Sequence, residues 1–378
     1  MRAFSSSPRL VAMRDLAALP KAHLHLHFTG SMRPTTLAEL AAAQGLRVPS
    51  ALLDGVPDVP ADVRGWFRFQ RLYESARAVV RSEGAMRRVL REAVQDDAAE
   101  GSRRLEIQVD PTSYAPHVGG LVPALEIVLD EARLAQEATG VSVGVVVASS
   151  RMRHPLEART LARLAARHVG DGPGEVVAFG LSNDERRGDT AEFASAFAIA
   201  ARAGLPGVPH GGELLGPEHV RDVVTHLHPR RLGHGVRAAE DPALLDELAR
   251  AGIACEVCPA SNVSLGVFRE SRHVPLRALI DAGVPVALGA DDPLLFGSRL
   301  VPQYAAARVA HGLDDAAIAS LARDSIGASL APETDRRRWL AEVDAWLADP
   351  GSGGSAAPAG SAGPTAPVVA PAAGAAAR

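Results

Sequence analysis

PKAHLHLHFTG, residues 20–30, is the stretch from which the rest of the chain can be read. From 23 to 27 histidine alternates with leucine, the period-2 pattern of a β-strand, so His23, His25 and His27 share one face. Two imidazoles at i and i+2 on a strand can reach one metal ion. A histidine-rich exposed edge would show the same alternation, and the motif alone leaves both readings open.

Outward from this stretch, seven more β-rich runs follow: RRLEIQV (103–109), VSVGVVVAS (141–149), VVAFGLS (176–182), GVPHGGE (207–213), RLGHG (231–235), ACEVCPAS (254–261) and VALGADDP (286–293). Between them lie segments such as AMRRVLREAVQDDAAEG and PALLDELARAG, apolar at i, i+3 and i+4 and closed by Gly. Eight strands alternating with helices favour a (β/α)8 TIM barrel over an open sheet. Each run ends in polar or Gly-rich residues, where a barrel keeps its active site. The longest excursion, residues 28–101, is too long for a simple connection and predicts a helical insertion after strand 1 that covers substrate. Residues 1–14 are expected to be a flexible N-terminus and 15–349 the barrel. Residues 350–378, nearly all Gly, Ala, Pro and Ser, are expected to be a disordered tail that cannot bury enough apolar surface to offset its ordering entropy.

Composition narrows the function classes. A chain that is 47% hydrophobic and 22% charged can bury a large core, and only 4% aromatic residues make that core mainly Ala, Val and Leu. A net charge of −4 leaves no basic footprint, so no nucleic-acid partner is expected. No run approaches the roughly 18 apolar residues of a membrane span, and no signal-type apolar stretch opens the chain; the cytoplasm is the expected location. Cys255 and Cys258 lie three apart on one run and face opposite ways, which predicts buried structural thiols rather than a disulfide or a shared metal.

Later strand ends add chemistry to the first. PHGGE supplies His210 and Glu213, RLGHG supplies His234, and GADDP supplies Asp291 and Asp292. Three imidazoles and a carboxylate suit Zn²⁺ with one position left for water. The remaining Glu, His and Asp are then acid–base groups beside it.

These stretches resemble the adenosine deaminase family over roughly residues 15–335. PKAHLHLHFTG is similar to the family's opening P-K-x-x-L-H-x-H-x-x-G. His210–Glu213, Leu232–Gly235 and Asp291–Pro293 are similar to its H-x-G-E, L-G-H-G and D-D-P motifs, and EVCPASN (256–262) also resembles it. The resemblance implies one zinc ion held by His25, His27, His210 and Asp291. It implies Glu213 as the general acid on purine N1, His234 as the group orienting the attacking water and assisting its deprotonation, and Asp292 as the partner of purine N7. The catalytic set would be Glu213, His234 and Asp291. Attack at C6 breaks aromaticity, and a proton from Glu213 avoids negative charge on the ring; that carboxyl has to stay protonated near pH 7, as burial and neighbouring carboxylates favour. The other zinc-deaminase pattern, H-x-E with P-C-x-x-C, is missing from the sequence.

The chain departs from the family at three places. Thr29 stands where the family commonly has an acid facing the ribose 5′-OH. Gly180 replaces an acid, and Asn183 replaces a Gly whose N–H meets N3. Substrate contacts are thus expected from His27, Thr29, Asn183 and Asp292. Loss of the acid at 29, with Arg33, Arg186 and Arg187 in adjoining loops, would suit an anionic 5′ extension such as that of aminodeoxyfutalosine; Thr29 could equally bond a plain 5′-OH. Trp66, Phe67, Phe69 and Tyr73 fall in the insertion, where the family lids the purine, though such spacing also suits core packing. The expected substrate is a purine nucleoside deaminated at C6. The alternatives are adenine, another metal-barrel amidohydrolase reaction, or a non-catalytic binding protein.

Overall fold

The computed structural model describes residues 13–57 and 63–349. The expected tail, and all but the last two residues of the expected flexible N-terminus, lie outside the described residues. Eight strands, β1 (Lys21–His27), β2 (Ser102–Val109), β3 (Ser142–Ser150), β4 (Val176–Ser182), β5 (Gly207–Gly211), β6 (Arg231–His234), β7 (Ala254–Val257) and β8 (Val286–Leu288), pair in parallel in chain order. The sheet closes at the mouth: the His27 N–H donates to the Asp291 carbonyl and the Asp291 N–H to the His25 carbonyl, each at 3.0 Å. The chain is a (β/α)8 TIM barrel.

The later strands stop sooner than their apolar runs. His234 and Asp291 adopt φ of 64° and 62°, and Pro259 and Pro293 each start a short helix. Left-handed backbone cannot continue a parallel ladder, so the chain turns over the rim at His234, which still pairs with Gly211, and at Asp291, which still bonds to β1.

The insertion after β1 contributes α1 (Pro34–Ala43), α2 (Val63–Arg77) and α3 (Glu83–Ala99). Ser82 caps α3 by accepting from the Ala85 N–H, and Glu83 sits in its first turn. That helix packs beside the next barrel helix, Leu121–Thr139, so α1 and α2 form the true addition. Helix α2 reaches across the mouth, where Phe69 stacks on Phe296 with ring centroids 5.4 Å apart.

A barrel centre is usually filled by layers of branched apolar side chains. Here an ionic chain crosses it. Glu256 accepts from Arg231 Nε at 2.6 Å, Arg231 Nη2 donates to Glu106 at 2.7 Å, and Arg104 Nε donates to Glu106 at 3.1 Å. Strands β2 and β6 lie on opposite sides of the ring, so the Arg231–Glu106 pair spans the interior. All four side chains are buried. Burial alone would raise the Glu106 carboxyl, but the two guanidiniums hold it below its ordinary value.

Candidate active site and metal centre

At the mouth the structure brings together His25 and His27 from β1, His210 from β5, Glu213 after it, His234 from β6, and Asp291 and Asp292 after β8. Asp291 Oδ1 lies 3.2 Å from His27 Nε2 and 3.6 Å from His25 Nε2. Donor atoms of His25, His27 and His210 lie within 4.8 Å of one another, and so do those of His25, His234 and Asp291. His234 Nε2 is 3.7 Å from Glu213 Oε2. Neither His25 Nε2 nor His210 Nε2 has a hydrogen-bond partner, although both are buried. Buried polar atoms are seldom left unpaired. Two imidazole lone pairs meeting beside a carboxylate are the donor set a divalent ion takes, so these residues fit a metal.

Electrostatics sort the groups into roles. For Asp291, burial would raise the carboxyl, but the neighbouring His25 and His27 imidazoles hold it well below the usual range. Burial, then Asp291 and Glu185, push Glu213 well above its ordinary value. Burial and the neighbouring Asp291 do the same to Asp292. His210 is driven well down by burial and the surrounding imidazoles, and burial with His25 takes His234 to about 3. Against burial, Asp291 and Glu256 push His25 up to about 10.

Two glycines make room for this crowding. A Cβ on Gly30 would stand 1.7 Å from Asp292 Oδ1, and one on Gly233 would stand 2.7 Å from His210 Cδ2 and 2.9 Å from His25 Cε1.

A cavity opens on the cluster, walled by Trp66, Phe69, Gln70 and Tyr73 of α2 with Ser182 and Asn183 at the end of β4. An outer chamber shares several of these walls and adds Asp110, Tyr114, Arg153 and Arg187. Asn183 holds φ at 83°, which turns the chain at the edge of the inner cavity. Thr29 is not brought to either chamber: it is 0% exposed, and its hydroxyl lies 2.5 Å from the Tyr114 hydroxyl. Nor does Arg33 face the site, because it pairs with Asp96 at 2.6 Å. Arg186 pairs with Asp184 at 2.7 Å and lies over the Trp66 ring. Of the three arginines only Arg187 reaches the outer chamber. Both cysteines are free and buried.

The model of the adenosine deaminase family matches residues 20–346. The chain belongs to that family. A Streptomyces virginiae relative named for adenosine/adenine deaminase is 58% identical over 336 residues, 88% of this chain and 98% of the relative. A Streptomyces avermitilis aminodeoxyfutalosine deaminase is 34% identical over 88% of this chain and 94% of its own. Among solved structures, an Arthrobacter aurescens adenine deaminase is 26% identical, with a TM-score of 0.78 over 87% of this chain and 99% of that one. This member of the adenosine deaminase family is thus a deaminase enzyme, and the family is metal-dependent.

The sequence motifs assign no role to three supporting residues of this family member, although Glu256 and Asn262 lie in the EVCPASN stretch and His23 in the His/Leu alternation. Glu256 receives His25 Nδ1 at 2.8 Å, which fixes that ring with Nε2 toward the cluster. Asn262 Nδ2 lies 3.3 Å from His234 Nδ1. His23 is held by Asp97 at 2.9 Å and accepts from the Ala290 N–H at 3.0 Å, bracing the segment before Asp291. No described helix is long and apolar enough to cross a membrane.

Proposed function

We propose that this chain hydrolyses the C6 amino group of an adenosine-type purine nucleoside, with one Zn²⁺ held by His25, His27, His210 and Asp291. The reading rests on the buried, unpaired Nε2 atoms of His25 and His210 beside the Asp291 carboxylate. A zinc ion there would lower the pKa of water from 15.7 to about 7, supplying a nucleophile at neutral pH.

The remaining steps belong to side chains whose proton states match the purine. N1 and N7 are acceptors and need donors. Glu213, raised by burial and by the carboxylates of Asp291 and Glu185, keeps the proton it gives to N1. Asp292, raised by burial and Asp291, keeps one to share with N7. The Asn183 N–H suits N3. His234 is neutral, so it orients the attacking water through Nε2 rather than storing a proton. The oxygen–C6 bond forms as Glu213 protonates N1; of the two protons of the water, one goes to the amino group as the C6–nitrogen bond breaks and the other returns to Glu213, giving ammonia and a 6-oxopurine. His27 borders the inner cavity beside the reacting carbon.

The outer chamber gives a sugar, or a 5′ extension, somewhere to lie. A second reading, free adenine, is favoured by the burial of Thr29 against Tyr114, which withdraws the side chain aimed at a 5′-hydroxyl. Spectrophotometric turnover of adenosine, adenine and a 5′-extended adenosine such as aminodeoxyfutalosine separates the readings. A higher kcat/KM for either nucleoside than for adenine is expected. The reverse order would reassign the substrate to the free base.

A further inference from the structure

Three consecutive amides at the end of β5 converge on one carboxylate. The Glu213 N–H donates to Glu185 Oε1 at 3.0 Å, and the Leu214 and Leu215 N–H groups donate to Glu185 Oε2 at 2.8 and 2.9 Å. Glu185 follows β4 and is 1% exposed. Successive amides facing one anion form a concave nest that fixes the backbone around it. From the other side Arg151, also buried, donates through Nη2 to the His210 carbonyl at 3.2 Å and through Nη1 to Thr190 at 3.0 Å. The segment 210–215 is therefore gripped at both ends by side chains that follow β3 and β4. It carries a proposed metal ligand at its start and the proposed acid in its middle.

We propose that Glu185 is the positioning residue that sets the Glu213 carboxyl against the reacting ring. The inference rests on the deaminase reading of the site. A carboxylate is the group that fits. Gln would offer one acceptor oxygen and turn an NH₂ toward an amide N–H. Asp is one methylene too short to keep all three bonds. Since a misplacement of roughly 1 Å can cost about 10²-fold in rate, releasing this turn should impair proton delivery while leaving the other metal ligands in place.

The test uses the zinc-loaded full chain carrying Glu185→Gln, Glu185→Asp, Glu213→Gln and the Glu185→Gln/Glu213→Gln double substitution. Glu185→Gln should lower kcat about 10²-fold, with KM changed less than about threefold and metal content unchanged. Glu185→Asp should fall in between. In the Glu213→Gln background the second substitution should cost nothing further, because a residue acting only through Glu213 has nothing left to position. Amide exchange at 213–215 should accelerate in Glu185→Gln while strand amides stay protected. A kcat within about threefold of the parent, losses that multiply with those of Glu213→Gln, or unchanged exchange at 213–215 would each overturn the proposal. A parent chain that turns over no aminopurine would instead overturn the deaminase reading, and the exchange data would still decide whether Glu185 holds the turn.

Discussion

Four imidazoles and three carboxylates share one buried space, and their proton states decide what that space can do. His25 lies between Asp291 and Glu256, which against burial push it up to about 10. Metal binding needs its neutral form. Below that pH the metal-free chain carries the proton, and zinc has to expel it, so affinity rises with pH. Calorimetry in buffers of different ionisation enthalpy should show proton release on zinc binding at neutral pH; no release would mean that His25 is already neutral. Glu213 gives a second expectation. Glu213→Gln should retain metal and lose about 10²–10⁴-fold in kcat, read by steady-state turnover and metal analysis. Its stability should move the other way. Burial and nearby carboxylates raise the folded-state pKa of Glu213 well above its ordinary value of 4.5, so above that pH the folded state binds more protons than the unfolded one. Stability then falls as pH rises. Metal-free Glu213→Gln should therefore melt higher than the parent near neutral pH, with the gap closing as pH falls to about 4.5.

Strands and their ends place these residues, and this is where sequence is most and least informative. The His/Leu alternation of β1 and the apolar run of β3 announce strands directly, and polar residues after each run announce the mouth. What the local pattern hides is the left-handed backbone at His234, which ends β6, and at Asp291, which closes the barrel against β1. The charge chain through the centre is equally hidden, because Glu256 serves His25 from 231 positions away. Arg231 and Glu256 read as ordinary charges in a strand until opposite strands meet. Two outcomes follow. Glu256→Gln should weaken zinc binding about 10–100-fold, since the partner of a ligating imidazole tunes that ligand, as measured by competition with a chelator. Arg231→Met would leave Glu106 and Glu256 buried without their shared cation, and should cost about 3–5 kcal/mol in urea unfolding.

The whole molecule joins these parts through one closure. The two backbone bonds that seal the barrel between β1 and the segment after β8 are also those that set His25, His27 and Asp291 side by side. Helix α2 covers the result, anchored by Phe69 on Phe296. Alternating strands and helices made the barrel legible, and the strand-end residues made the His/Asp/Glu cluster at the mouth legible. Thr29 was not, because its proximity to Tyr114 joins positions 85 apart that nothing local connects. The central claim is that this mouth is a metal-dependent aminopurine hydrolase, and the direct measurement is ammonia release. Zinc-loaded protein should convert adenosine, or its 5′-extended form, to the 6-oxopurine with one ammonia per turnover. Chelation should abolish the activity, and re-addition of zinc to one ion per chain should restore it. A chain that holds one zinc ion, yet releases no ammonia from adenosine, a 5′-extended adenosine or adenine, would contradict the account.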